Sequence, residues 1–241
     1  MFFVPGAVRL ACWLNAWLQQ RVSADDTIAG IVGDDGQAEF SLRPGERSAP
    51  ALLLADLRRH GISRVSVSLP LPGDLLGLGG PAAFNADAVE AGEAVLLHDA
   101  ELGLIPHRSS DLTWWRGAPA QIPAFLPDVA SAARELRLAI TQAAADLAAL
   151  DLAAWSPEAA DALMNLRSPA RLDSPLPSSS GPATKLLVDG LRSLEIARLA
   201  LRDDGGALSV NDVDSRREVL RLLRHCAVAA LVASASSLDG I

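Results

Sequence analysis

Tyrosine is absent from this 241-residue chain, lysine occurs once, at Lys185, and cysteine only twice, at Cys12 and Cys226. With 20 arginines beside that one lysine and alanine abundant, the basic residues carry the signature of a high-GC genome, which lowers the weight of any single arginine. Two cysteines, both within apolar helical patterns, do not make a disulfide framework and read as buried thiols in a reducing cytoplasm. No uninterrupted apolar run reaches the roughly 18 residues of a membrane span. A basic half is missing too. Net charge is -8, with 9 basic against 14 acidic residues up to position 124 and 12 against 15 beyond it. That balance argues against direct nucleic-acid binding, which needs a positive face to displace counterions from phosphates. The apolar start "MFFVPGAVRLACWLNAWLQQ" has no basic segment before it and is broken at Pro5 and Gly6, so it reads as part of the fold and not as an export signal. What is present is a globular composition: half the residues are hydrophobic, 21% are charged, and mean hydropathy is +0.23.

Hydrophobic periodicity divides the chain into two characters. In "AVRLACWLNAWLQQ", Val8, Ala11, Leu14 and Leu18 share a helical face with Trp13 and Trp17 beside it, which predicts a helix buried over most of its girth. "DTIAGIVGDDGQAEFSL" reads as two short strands around an Asp-Gly turn at residues 33 to 36. A helix is predicted over 51–60 with Gly61 as its left-handed stop. "ISRVSVSLPL" alternates Val65, Val67 and Leu69 with Ser66 and Ser68, a strand with one wet face ended by Pro70 and Pro72. "EAVLLHD", "LGLIPH" and "DLTWWRG" complete a small mixed or antiparallel sheet. From residue 123 the chain turns helical. The spacing of Val129, Ala132, Leu136, Ile140, Ala143, Leu147 and Leu150 predicts one long helix over 126–152. A further helix is expected from Ser156-Pro157, then a Pro/Ser-rich loop at 167–183, and two more helices over 183–203 and 210–235. The last of these has Ser209 and Asp212 in a capping-box pattern. The expected fold class is α+β, with an α/β domain at 1–122 and a helical domain at 123–241, and the 126–152 helix is long enough to join them, which leaves open both separate cores and a shared one.

The stretch "PGDLLGLGGPAAFN" hints most at ligand chemistry, because a strand, a glycine-rich turn and a helix start make an anion site when backbone N–H groups converge. Asp74, Gly77, Gly79, Gly80 and Asn85 are its candidates, with Asn85 as helix cap and Phe84 and Val89 as a staple around it. The pattern matches neither the dinucleotide-binding nor the P-loop fingerprint, Leu75, Leu76 and Leu78 make the loop apolar, and Asp87, Glu90 and Glu93 would repel an anion. A packed turn is favoured over a phosphate cradle.

Other polar groupings are weighed the same way. His98, Asp99, Glu101 and His107 lie close in sequence, and a hairpin could gather them for metal binding or acid–base work, yet no metal-ligand spacing is matched. No metal or cofactor is expected. No nucleophile motif occurs, and His225 reads as a helix-edge histidine beside Cys226. Consecutive Trp114 and Trp115 on a strand face opposite sides, one into the core and the other available as an interface anchor.

The stretches "VSLPLPGDLLGLGGPAAFNADAVEAGEAVLL", "LGLIPH", "AAADLAALDLAAWSPEAADALMNLRSP" and "DSRREVLRLLRHCAVAALV" resemble a family of uncharacterised cytoplasmic proteins from actinobacteria. The resemblance implies no activity, cofactor or site residue. The expectation from the residues is a cytoplasmic, non-catalytic interaction or regulatory protein. It would bind a protein partner or a second copy through the glycine-rich loop and the tryptophan strand. The alternative is a small-molecule binder or enzyme with its pocket at residues 72–85, His98, Asp99 and His107.

Overall fold

Ser23 and Asp26, three residues apart, decide the first local structure that the apolar pattern misjudges. The Ser23 hydroxyl accepts the Asp26 N–H at 3.0 Å and donates to its carboxylate at 2.7 Å, a reciprocal cap that starts a helix where β-branched residues suggested a strand. The computed structural model describes residues 2–33, 37–43, 46–71, 73–109, 112–149, 172–177, 181–201 and 210–237. Among them are helices α1 (Gly6–Leu18), α2 (Ala24–Val32), α3 (Pro50–Arg59), α4 (Ala82–Ala91), α5 (Val129–Ala149), α6 (Pro182–Ala200) and α7 (Val210–Ala235). The strands are β1 (Ala38–Ser41), β2 (Val65–Ser68), β3 (Ala94–Leu97), β4 (Leu102–Arg108) and β5 (Thr113–Pro119). The fold is α+β. The turn at 34–36, the Ser156-Pro157 helix start, most of the 167–183 loop and the Ser209 cap lie outside the described residues.

The five strands form one sheet in the order β1-β5-β4-β3-β2, antiparallel except for the parallel β1–β5 pair. Eleven consecutive residues of α1, Ala7 to Trp17, are buried, as expected for a helix packed on several sides. Its core takes Val65, Val67, Val95, Leu97, Leu104, Phe40 and Trp115 from the sheet. The same core takes Leu187 and Leu191 from α6 and Val228, Leu231 and Val232 from α7. Residues from both halves of the chain therefore meet in one interior. Residues 172–175 are tied to the chain before and within α1: Asp173 accepts the Val4 N–H at 2.9 Å, Ser174 accepts from Arg9 at 2.9 Å, and Pro175 O accepts the Trp13 indole N–H at 3.1 Å.

Both sheet edges are covered. Asn15 of α1 pairs with Val65 of edge strand β2 as a neighbouring strand would, accepting its N–H and donating to its carbonyl, both at 3.0 Å, and it also donates to Ala235 O at 3.0 Å. The Val67 N–H goes to Ser236 Oγ at 2.9 Å. At the other edge Phe40 exchanges backbone bonds of 2.9 and 2.8 Å with Ser48. Free strand edges invite pairing with other chains, and these contacts remove the invitation.

On the second face α4 packs over β4, with Phe84, Ala88, Leu96 and Ile105 in a smaller core. The wet face expected of β2 is dry, because Ser66 and Ser68 are fully buried. Ser68 Oγ donates to Leu76 O at 2.6 Å and Ser66 Oγ meets His98 Nε2 at 3.0 Å. The serine alternation reports hydroxyls with protein partners, not water. Asn85 is not the helix cap: α4 starts after Pro81, whose carbonyl accepts the Asn85 N–H at 3.0 Å. Phe84 is buried while Val89 is 44% exposed, so no staple forms. Gly92, at φ 75°, ends the helix as expected.

Helices α5, α6 and α7 build the last layer through Ala132, Leu136, Ala139, Ala143, Leu186, Leu223, Ala227 and Ala230. The α6–α7 pair is antiparallel, since Arg216 near the start of α7 donates to Ala200 O at the end of α6, at 2.7 Å. In α5 the buried stripe runs through Ala139, whereas Ile140 is 42% exposed.

Candidate functional site

Because the side-chain period of a strand is two, Trp115 points into the main core, where it stacks on Phe40 with ring centroids 6.5 Å apart. Trp114 points to the α4 side and is half-buried. Register puts Glu39, Trp114 and His107 side by side on three adjacent strands. The Trp114 ring lies 5.1 Å from the His107 ring, and the Arg47 guanidinium sits 4.5 Å from its centroid. Arg47 is held in turn by Glu39 at 3.2 Å. Arg116, two residues along β5 on the same face, donates through Nε to His107 Nε2 at 3.2 Å and reaches Asp87 of α4 at 2.6 Å. The result is a row of an indole, an imidazole and two guanidiniums, each charge already matched by a carboxylate. Stacked cations and a fixed indole form a preorganised face for planar or apolar groups.

The glycine-rich loop stands elsewhere. The loop leaves β2 and packs at Gly79 and Gly80 on Gln121, just past the end of β5, whereas Trp114 stands near the start of β5, roughly 23 Å back along the strand, so the loop and Trp114 do not form one patch. Gly77, at φ 83°, lets the loop lie on β2, where a Cβ would stand 2.7 Å from the Val67 carbonyl oxygen. A Cβ at Gly79 would run into the Gln121 backbone, and Gly80, at φ 114°, accepts the Gln121 N–H at 2.7 Å. These glycines serve close backbone packing. Asp74 exchanges backbone bonds with Leu71 and places Oδ2 2.9 Å from Nδ1 of His225 on α7. Asn85 Oδ1 is buried without a hydrogen-bond partner among the described residues.

His98 and His107 share the β3–β4 hairpin but not an end of it. Leu97 pairs with Leu102 at the turn, and His107 lies five residues further along β4, about 17 Å away. His98 bonds Ser66, and burial, aided by the Arg64 charge, lowers its pKa below 6.5. Asp99, at φ 75°, accepts from Ser63 Oγ at 2.6 Å and Ser63 N at 3.2 Å. Those bonds lower its pKa below the usual carboxylate value. No acid–base pair or ligand set spans the hairpin. Among the described residues no three histidine, cysteine or carboxylate groups stand close enough to hold a metal ion.

Glu93, read from the sequence only as a carboxylate that would repel an anion, has a structural role that sequence reasoning missed. Glu93 is 4% exposed, accepts the Ala7 N–H at 2.7 Å and pairs with Arg108. It brings a negative charge to the start of α1, where the helix dipole favours one. No local pattern forecasts a partner 86 positions away.

An α+β protein with both sheet edges covered, one side of its sheet roofed by helices from both halves, and an aromatic–cation row on the other side is the class so defined. The chain belongs to the family described as Rv1486c-like protein: the family's N-terminal domain matches residues 7–130 and its C-terminal domain residues 130–232. It is 29% identical to the uncharacterised protein Rv1486c of Mycobacterium tuberculosis, over 43% of this chain and 44% of that one. It is 28% identical to the uncharacterised protein MAV321 of Mycobacterium avium, over 42% and 41%. The chain thus spans less than half the length of the curated relatives it matches. Both are mycobacterial, in keeping with the actinobacterial resemblance of the sequence. No solved structure matches the chain. No helix among the described residues is long and apolar enough to cross a membrane.

Proposed function

We propose that this protein acts in the cytoplasm as a non-catalytic interaction protein and that the row centred on Trp114 is its contact surface for a protein partner. The observation that carries the reading is the Trp114 indole, half-buried and fixed between His107 and Arg47. Tryptophan and arginine are the residues most enriched where binding energy concentrates, and an anchor already held in place loses little entropy on association. A protein is favoured over a nucleic acid because Arg47 and Arg116 already carry carboxylates and the chain bears a net charge of -8. Support for a reducing compartment comes from two unpaired cysteines, with burial pushing the Cys12 thiol up to about 12.

The test is capture from native lysate by wild-type protein and by Trp114→Ala, with light scattering on the purified protein to detect self-association. Trp115 is left intact, because truncating a core indole costs about 3–5 kcal/mol and would confuse unfolding with lost recognition. A partner, or a second copy, retained by wild type and by the exposed control Val89→Ala but lost with Trp114→Ala supports the reading. Equal retention by all three, or capture of nothing together with a monomeric mass, overturns it.

A further inference from the structure

A cleft of about 880 Å3 opens at the end of the helical layer, well away from Trp114. It lies where α5 and α6 begin and α7 ends, with Arg64, the residue before β2, on its wall. Its volume is in the range that holds a small organic molecule. Most of the wall is apolar, supplied by Leu126, Val129, Leu136, Ile140 and Leu186. Ile140 is 42% exposed, and Phe125, beside the lining residue Leu126, is 77% exposed.

The polar groups in the wall are of unequal availability. The ammonium of Lys185, the chain's single lysine, makes no hydrogen bond or ion pair among the described residues, and Lys185 sits in the first turn of α6. Arg64 spends Nε on Ser236 O at 3.1 Å, and Arg137 spends Nε on Ala133 O at 3.1 Å. Neither guanidinium is ion-paired among the described residues. Two carboxylates, Asp128 and Asp189, line the same cleft. Asp128 is engaged as the cap of α5, accepting the Ser131 N–H at 2.9 Å, while Asp189, one turn after Lys185, makes no such bond. Three cations against one engaged and one unengaged carboxylate leave this wall with a positive excess in a protein whose overall charge is -8. Two helix N-termini add to it. Asp189 limits the excess, which disfavours a doubly charged phosphate and fits a single carboxylate.

We propose that this cleft binds a small amphipathic monoanion, a carboxylate on an apolar chain, with Lys185 at the carboxylate and Ile140 along the chain. The site shares no residue with the Trp114 row, so it stands or falls separately from the interaction surface.

The probe is dodecanoate, below its micellar concentration, titrated into the 241-residue chain by calorimetry and by thermal shift, with dodecyltrimethylammonium as the cation of matched chain. The expected result is saturable binding of dodecanoate and a raised Tm, with neither for the cation. Lys185→Gln is expected to weaken dodecanoate about tenfold, the effect of losing one charged hydrogen bond. Ile140→Asp is expected to abolish binding by placing a carboxylate against the apolar chain. Both positions are exposed, so both variants keep the core, and circular dichroism checks this. Failure of wild type to bind dodecanoate, equal binding of the cation, or affinity unchanged in both variants overturns the proposal.

Discussion

His98 shows how much a single residue's surroundings decide. A histidine in a polar turn reads as solvated or ligating, yet its ring meets the buried Ser66 hydroxyl at 3.0 Å, and burial with the Arg64 charge depresses its pKa. The folded state therefore holds His98 neutral at a pH where the unfolded chain takes up a proton. Its contribution is fully present above about pH 6.5 and is lost as pH falls through the unfolded value toward the lower folded one. Thermal melts between pH 7.5 and 5 are expected to show a smaller fall in Tm for His98→Asn than for wild type. Parallel profiles would mean that the ring is solvated after all. The opposed directions of Trp114 and Trp115 were legible in the sequence, since strand alternation alone demands them. Which of the two enters the core was not, because that depends on β1 lying beside β5 and presenting Phe40. The structural role of Glu93 was not legible at all. Its partners are an N–H at position 7 and a guanidinium at 108, and sequence distance carries no trace of either contact.

At the scale of elements, length and period governed what could be read. α6 and α7 come within a few residues of their expected bounds, because each repeats an apolar face over several turns. The nine residues of α2 were misjudged: Thr27, Ile28, Ile31 and Val32 supply β-branched character, and the Ser23–Asp26 cap outweighs it. The long helix α5 was expected to bury Ile140, but its stripe follows Ala132, Leu136, Ala139 and Ala143, and Ile140 turns to the cleft. The candidate site suffered more. The glycine loop, the hairpin histidines and the tryptophan strand were each recognisable, but strand order, which the sequence does not contain, brings only His107 to Trp114 and leaves His98 at the other end of the hairpin. Strand β2 supplies a prediction at this scale. Asn15 closes its edge through two side-chain bonds to Val65 and holds the Ala235 carbonyl with a third, so Asn15→Ala leaves buried backbone groups unpaired and is expected to cost about 2–4 kcal/mol. Urea unfolding would show this as a lower midpoint, with light scattering revealing association through the opened edge. An unchanged midpoint would show that water or neighbouring groups replace the amide.

Across the whole molecule, one interior joins the two regions that the family's domains divide at residue 130. Leu187, Leu191, Val228, Leu231 and Val232 pack with α1 and the sheet, so separating the regions would bare apolar surface on both. Urea denaturation of the full chain is expected to give a single transition, coincident by tryptophan fluorescence, which reports mainly residues 13–115, and by circular dichroism, which is dominated by the helices. A fragment of residues 1–130 is expected to aggregate or to lack fixed tertiary packing. Two separated transitions, or a well-folded fragment, would establish two independent units. The ties between residues 172–175 and the start of the chain also impose an order in time. Arg9 and Trp13 meet Ser174 and Pro175 more than 160 positions downstream, and Asn15 meets Ala235 a further 60 along. With translation at about 5–20 residues per second, α1 leaves the ribosome roughly 8–30 seconds before its cover exists. Through that interval its tryptophans and leucines are open to whatever else is in the cell, so a helix made well ahead of its cover is among the last to be safe from aggregation.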